Sequence, residues 1–473
     1  MQRQTSSLAI SLFKNFIFFT TLTACTVGPK YIPPEMNIPC EWHNPIPQGM
    51  CENNLEQFVW WESLNDPVLN SLIERAASQN LDISIAASRV SQARRIYAGK
   101  KADLLPHIDG SVNYDHAYYN QKTLNNILGT KKCERHSSKK NIDIFEIGFD
   151  ADWEIDLFGK TAHEISAFKA EFESAQESLN DAWVILSAEV GRNYIELRGY
   201  QQQLLLVSKN INAQKETVAL TSDLVAAGLA NDVSQNQSQE QLSLLEIKKP
   251  LLEFAVNKAI YRLSVLLAHP PTELYEELIC VCGALPSLPT DRPIGIPSEL
   301  LRRRPDIRKA ERELAAATEH IGSAIANLFP RFSLRGFIGD ISTHLPSLLS
   351  SGSNTWIAGP QLLLPIFNSR LIEQDIQFNK FKAEQVLFEY QKVVLGALEE
   401  TENALGAFNA EVLRNKHLVD VVKTSQMTYD LVNDLYQNGF KDYFEVVVSQ
   451  NSLVSNEEAF IQSNIDLLIH YIS

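Results

Sequence analysis

Two stretches of more than 100 residues contain no proline, one from His107 to Lys249 and one from Ile366 to Ser473. Proline inside a helix removes a hydrogen bond and clashes with the preceding turn, so proline-free spans of this length permit very long helices. In the first span, Ile165, Phe168, Phe172, Ala175, Leu179, Ala182 and Leu186 follow a 3-4-3-4-3-4 spacing. That is a coiled-coil stripe. It predicts a helix from about residue 160 to about residue 225, on the order of 100 Å long. Gly228 is the expected stop, because glycine adopts the left-handed cap conformation without strain.

The chain repeats itself. A shift of 224 residues superposes Asp82 on Asp306, Ile83 on Ile307, Ala86 on Ala310, Leu104 on Leu328 and Pro106 on Pro330. A shift of 209 superposes Phe158 on Phe367, Phe172 on Phe381 and Val184 on Val393, and a shift of 211 superposes Gly228 on Gly439. Three blocks in the same order point to duplication. Each half then has one plan. A helix (about 66–103, or 298–328) ends at a proline, two strand-like segments follow, and a long helix runs to a glycine turn and returns. Pro250 falls inside the first return helix and should kink or interrupt it.

In 143–153 the residues Phe145, Ile147, Phe149, Ala151 and Trp153 alternate with Glu146, Gly148, Asp150 and Asp152. Period two with one apolar and one acidic face suits a barrel strand, with lipid outside and water inside. Glu146, Asp150 and Asp152 are the expected lumen acids. The companion strands are 107–116, 331–340 and 354–364. Four strands cannot close a barrel, since single-chain barrels begin at about eight strands. Open edges cannot sit in hydrocarbon. Other copies must complete the barrel, and three copies give about 12 strands.

The ends and the composition narrow the function. Arg3 and Lys14 flank or precede a short apolar run, Phe16 to Phe19, and Leu22-Thr23-Ala24-Cys25 follows. This run is too short to span a bilayer and reads as a secretion signal over residues 1–24. The pattern resembles a lipobox, which makes Cys25 the lipidated first residue. Residues 25–60 are a proline-rich tether; the two repeats occupy 61–285 and 286–473. Cys40 and Cys51 are spaced to close a small loop in an oxidising compartment. The net charge of −15 excludes a nucleic-acid role, which needs a basic face. The basic run Arg302-Arg303-Arg304 reads as a solvated or salt-bridged helix start. No phosphate loop, dinucleotide fingerprint, nucleophile elbow or zinc-protease motif occurs, so no catalytic residue, cofactor or metal is expected.

Several segments together resemble the TolC-like outer-membrane efflux lipoproteins. They are Cys25-Thr26-Val27-Gly28-Pro29-Lys30-Tyr31, Trp61-Glu62-Ser63-Leu64 and Leu104-Leu105-Pro106. Trp153-Glu154-Ile155-Asp156-Leu157-Phe158-Gly159-Lys160 and Leu301-Arg302-Arg303-Arg304-Pro305-Asp306 also match, as do Gly359-Pro360 and Pro365-Ile366-Phe367. The resemblance implies an α+β fold. A trimeric outer-membrane β-barrel with four strands per chain continues into a long periplasmic α-helical barrel. It implies a homotrimer held in outer-membrane lipid, a periplasmic adaptor protein and an inner-membrane pump. The channel is a passive conduit for small molecules and no enzyme. Two alternatives remain: a protein-secretion channel, or a coiled-coil periplasmic lipoprotein with no pore.

The same resemblance places adaptor contacts at the helix turns, Gly228 with Leu229 and Gly439 with Phe440. It places the periplasmic gate just beyond the second turn, at Phe444, Glu445 and Val448. Here the chain departs from its relatives, because Val448 replaces the usual aspartate. Phe444 and Val448 should make a more apolar plug that closes partly by dewetting.

Overall fold

The computed structural model describes residues 26–45, 50–51, 59–119, 140–228, 231–279, 284–289, 292–293 and 303–473. Cys25 and Leu229 lie outside the described residues, as do Cys133, Cys280 and Cys282. The chain forms two compact units. One contains Met1–Pro34, Val90–Ala175 and Ala310–Tyr390; the other contains Glu35–Arg89, Gln176–Lys309 and Gln391–Ser473. Each unit draws on both sequence repeats.

The first unit is built around a four-stranded antiparallel sheet. Its strands are β1 (His107–Tyr119), β2 (Lys140–Ile155), β3 (Arg331–Ser342) and β4 (Asn354–Leu363), in the order β1-β2-β3-β4. Three of the strands, with 13, 16 and 12 residues, exceed the roughly 9–11 that cross a hydrocarbon layer, and β4, with 10, falls within that range. Register sets the faces: Asp109 pairs with Asp150, Asn113 with Glu146, and Asp152 with Arg335. Ser111 donates to Asp150 at 2.6 Å, and Arg335 sits 3.4 Å from Asp152. The opposite face carries Ile108, Val112, Phe149, Ile338 and Trp356, all well exposed in the single chain. The acidic face is less pure than the alternation of β2 alone implies, because Phe337 pairs with Asp150 and Ile357 pairs with Phe337. Strands β1 and β4 are the sheet's two edges.

The second unit has the main apolar core. Asp66 caps helix α2 (Pro67–Gln79) by accepting from the backbone of Val68 and Leu69, with Pro67 at the first helical position. Helix α1 (Trp60–Ser63) precedes it. Leu69, Leu72 and Ile73 of α2 pack against Val190, Tyr194 and Leu197 of the long helix α4 (Lys160–Ala226). Ile260 and Leu263 of α5 (Asp232–Leu266) complete the cluster with Leu468 of α9 (Tyr443–Ile472). Burial of such side chains stabilises by about 1.5–3 kcal/mol each. Tyr194 also donates to Asp66 at 2.6 Å, tying the cap to α4.

Two expectations need correction. The helix expected over 66–103 is two helices, α2 and α3 (Leu81–Ala102), broken at Asn80. Asn80 leaves helical geometry, accepts from Asp82 and Ile83, and donates to the Leu266 carbonyl at 2.8 Å. Helix α5 runs uninterrupted through Pro250. Pro250 and Glu246 are both exposed, so the carbonyl freed by the missing N–H faces water.

After the short α6 (Tyr275–Ile279), the second repeat supplies α7 (Pro305–Ala326) and the 69-residue α8 (Ser369–Gln437). Helix α4 has 67 residues, matching the heptad reading. At the start of α7, Arg304 pairs with Asp306 at 2.7 Å and with Glu400 at 2.8 Å, the salt-bridged helix start expected of the basic run. Cys40 is an exposed free thiol, not half of a disulfide.

Candidate functional site

Three places carry the expected functional residues. The first is the sheet. Glu146, Asp150 and Asp152 lie on one face, joined by Asp109 across the strand; Asp109, Asp150 and Asp152 line an open cavity of about 500 Å³ with Arg335 and Gln361. Glu146 is not among that cavity's lining residues; it lies further along the same face, beside Asn113.

The second is the N-terminal segment. Val27 donates its backbone N–H to the Phe158 carbonyl at 3.1 Å. His163 bridges this segment to α7: Nδ1 meets Glu319 at 2.6 Å and Nε2 meets the Val27 carbonyl at 2.9 Å. A carboxylate and a carbonyl both accept, so the geometry favours an imidazolium that donates from both nitrogens. The Glu319 hydrogen bond raises the His163 pKa above its ordinary value, partly opposed by burial and supported by the Val27 bond and Asp156. Glu164, next to His163, is engaged by Lys100 and Ser323.

A pH dependence follows. Below about pH 6.5 the imidazolium is present whether or not the segment is docked, and the clasp is at full strength. Its contribution fades as pH rises through the raised value. Hydrogen exchange of the backbone over residues 26–31, corrected for intrinsic rate, should therefore quicken with rising pH. His163→Gln should exchange faster by about tenfold or more and lose that pH dependence, since a hydrogen bond to a charged group contributes about 1.5–3 kcal/mol. An unchanged profile in the variant would show that the clasp holds nothing.

The third place is the pair of helix turns. Gly228 and Gly439 have φ of +73° and +79°, the left-handed conformation that side chains resist. The Gly439 N–H donates to Tyr436 and the Phe440 N–H to Leu435, both at 2.9 Å, closing the helix end. Phe440 is 76 % exposed. Past this turn, α9 splits its faces. Tyr443, Val446, Ser449 and Gln450 are buried, whereas Phe444 and Val448 are 59 % and 52 % exposed. Phe444 and Val448 are four residues apart and share one helix face. Glu445 is paired with Lys441 at 2.6 Å, so its charge is answered within the chain.

Residues 72–269 and 296–473 match the family model described as outer membrane efflux protein. The chain belongs to the outer membrane efflux protein family. Nodulation protein T of Rhizobium leguminosarum bv. trifolii is 31 % identical over 92 % of this chain and 90 % of its own length. The solvent efflux pump outer membrane protein SrpC of Pseudomonas putida is 26 % identical over 96 % of this chain and 95 % of its own. The outer-membrane channel OprN has the same fold, with TM-score 0.85 and 30 % identity, covering 95 % of this chain and 97 % of that one. This efflux protein is an outer-membrane channel subunit of a tripartite efflux system, and its family is one of conduits rather than enzymes. Among its described residues no helix is long and apolar enough to cross a membrane.

The structure also supplies functional candidates that the sequence did not single out. Near the start of α9 in this efflux protein, the Gln214 side chain donates to the Ser238 carbonyl at 2.9 Å and to the Tyr443 hydroxyl at 3.3 Å. Thr221 and Ser238 share a further bond at 3.0 Å. These polar groups lie buried between α4, α5 and α9, close to the turns. Only the polar positions within apolar stripes hinted at them, and that signal is common on any long helix.

Proposed function

We propose that three copies of this chain close one 12-stranded barrel through which small molecules leave the cell. The observation that carries this reading is the sheet: four strands, two edges, one acidic face and one bare apolar face. Edges in hydrocarbon must be paired, and joining β4 of one copy to β1 of the next pairs them all. The acidic face then lines water and favours cations. Cys25 carries the lipid that holds the N-terminus in the outer membrane, and the His163 clasp fixes the chain two residues beyond it.

In this reading the turns at Gly228–Leu229 and Gly439–Phe440 meet a periplasmic adaptor, and an inner-membrane pump supplies the energy. Phe444 and Val448 from three copies form the closed gate. Relatives include the outer membrane proteins of solvent, toluene and antibiotic efflux pumps of Pseudomonas putida. They support small, partly apolar cargo. Single-channel recording of protein extracted from outer membranes tests the reading. Discrete, cation-favouring steps are expected. Silence from correctly inserted protein would point instead to a tethering lipoprotein.

A further inference from the structure

Helix α3 is a basic element in an acidic chain. Residues 83–102 include five basic side chains and no acidic one, against a net charge of −15 for the whole sequence. The internal repeat supplies the comparison. The 224-residue shift lays α3 on α7, where residues 307–326 hold three basic and three acidic side chains. Arg94 stands where α7 has Thr318, Arg95 where it has Glu319, and Lys101 where it has Ile325. Acids of α7 are used within the chain: Glu319 meets His163 and Glu311 meets Tyr31. On α3, Lys100 is answered by Asp103 and Glu164, both at 3.2 Å. Arg94 and Lys101 are exposed and form no ion pair among the described residues.

These two cations share a face. Arg94, Tyr97 and Lys101 follow the i, i+3, i+7 spacing of one helix side. Arg95, one residue on from Arg94, is turned about 100° away. Side chains on a helix lean toward its N-terminus, so Lys101 folds back along α3. Its ammonium lies 4.6 Å from the centre of the Tyr97 ring. That ring stacks on Phe172 of α4, with centroids 6.2 Å apart and planes 6° from parallel. The stack fixes the seat of the Lys101 charge, and Arg94 stands on the other side of Tyr97 along the helix. Beyond Lys101 the surface turns apolar. Leu104 is exposed, as are Ile108 and Val112 on the bare side of β1. The Leu104 carbonyl accepts the Trp153 indole N–H at 2.9 Å. Tryptophan is enriched where a membrane meets water, which sets the level of that boundary.

We propose that the face formed by Arg94, Tyr97 and Lys101 binds the headgroup of an anionic phospholipid, whose acyl chains run along Leu104, Ile108 and Val112. Two observations choose the occupant. The unanswered positive charge calls for an anion, and a zwitterionic headgroup brings no net charge to meet it. The apolar strip on the membrane side of the cations calls for chains, which a free phosphate lacks. Lys101 is three residues before Leu104, about 4.5 Å along a helix axis. That distance is within the depth of a headgroup layer, about 5–7 Å on each side of a bilayer.

This inference rests on the reading that the sheet crosses the membrane, and the test separates the two. Full-length protein is extracted from outer membranes in mild detergent and freed of lipid. It is titrated with dioleoylphosphatidylglycerol or dioleoylphosphatidylcholine, and native mass spectrometry counts both the copies and the lipids bound. Wild type is expected to bind phosphatidylglycerol the more tightly. Arg94→Gln with Lys101→Gln should weaken that binding on the order of thirtyfold, about fivefold for each cation. Arg95→Gln, on another face, should change it less than about twofold. Unchanged binding in the double variant, or an equal loss in Arg95→Gln, would overturn the lipid site. Glycerol phosphate, a headgroup without chains, should not compete at equal concentration. Equal competition would make this a site for free phosphate and overturn the lipid assignment. If the double variant fails to assemble, Lys101→Gln alone decides, and the absence of its fivefold loss would overturn the site. Inserted trimers with no preference for phosphatidylglycerol would overturn it too and leave the barrel standing. A wild-type chain that is neither inserted nor trimeric would overturn both.

Discussion

Gly339→Val should leave essentially no heat-modifiable trimer in the outer membrane. Gly339 pairs with Gly148 across β2 and β3. A Cβ at 339 would fall on the Ile147 carbonyl oxygen, 2.5 Å from the Gly148 Cα and 2.8 Å from the Phe337 ring. Two of the three obstacles are backbone, which cannot swing aside as a side chain can. Relief requires the strands to part, and that breaks hydrogen bonds in a setting where unmade backbone bonds cost several kcal/mol each. Overpacking in a soluble core costs about 1–3 kcal/mol because neighbours yield; here they do not. Gly359→Ala is the control. It lies on the same face, but its Cβ meets nothing within 4 Å. Gly359→Ala should assemble like wild type. Equal assembly of Gly339→Val and Gly359→Ala would mean that the Gly148–Gly339 approach does not set the spacing of β2 and β3.

How much of this was readable beforehand depends on whether the deciding partner is near in sequence. The long helices were readable because a heptad stripe is local and repeats many times. The strands were readable because Phe145 to Trp153 alternates residue by residue. The break at Asn80 was not, because Asn80 ends α2 by bonding the carbonyl of Leu266, far away in the chain. Pro250 does not interrupt its helix because the carbonyl left without a partner lies on an exposed side, which residue type alone does not reveal. His163 is one of ten histidines scattered along the sequence. Only the fold brings Val27 and Glu319 to its two nitrogens. The proposed gate segment was half readable. Lys441 and Glu445 are four residues apart, a pairing spacing visible in the sequence. Which of Phe444, Val446 and Val448 points outward needed the packing of Tyr443 and Gln450 to settle it.

That division of faces sets the last expected result. Phe444→Ser should raise single-channel conductance on the order of a few-fold and increase antibiotic leakage, with little loss of folding stability. Phe444 is 59 % exposed, so its removal leaves no cavity in the protomer. If Phe444 forms the proposed gate, the change removes three phenyl groups from a ring of three copies and replaces a drying surface with hydroxyls that hold water. Val448→Ser, one turn further along the same face, should act in the same direction with a smaller effect. Val446→Ala supplies the contrast. Val446 is 3 % exposed and packs inside the protomer, so its truncation should lower stability by about 1 kcal/mol and leave conductance unchanged. Glu445→Gln should alter ion preference little, because Lys441 already answers that charge. The decisive comparison is between Phe444→Ser and Val446→Ala. If both change conductance alike, the exposed face of α9 has no special place in the gate, and closure must be sought elsewhere, with the buried Gln214–Tyr443 contact the next position to alter.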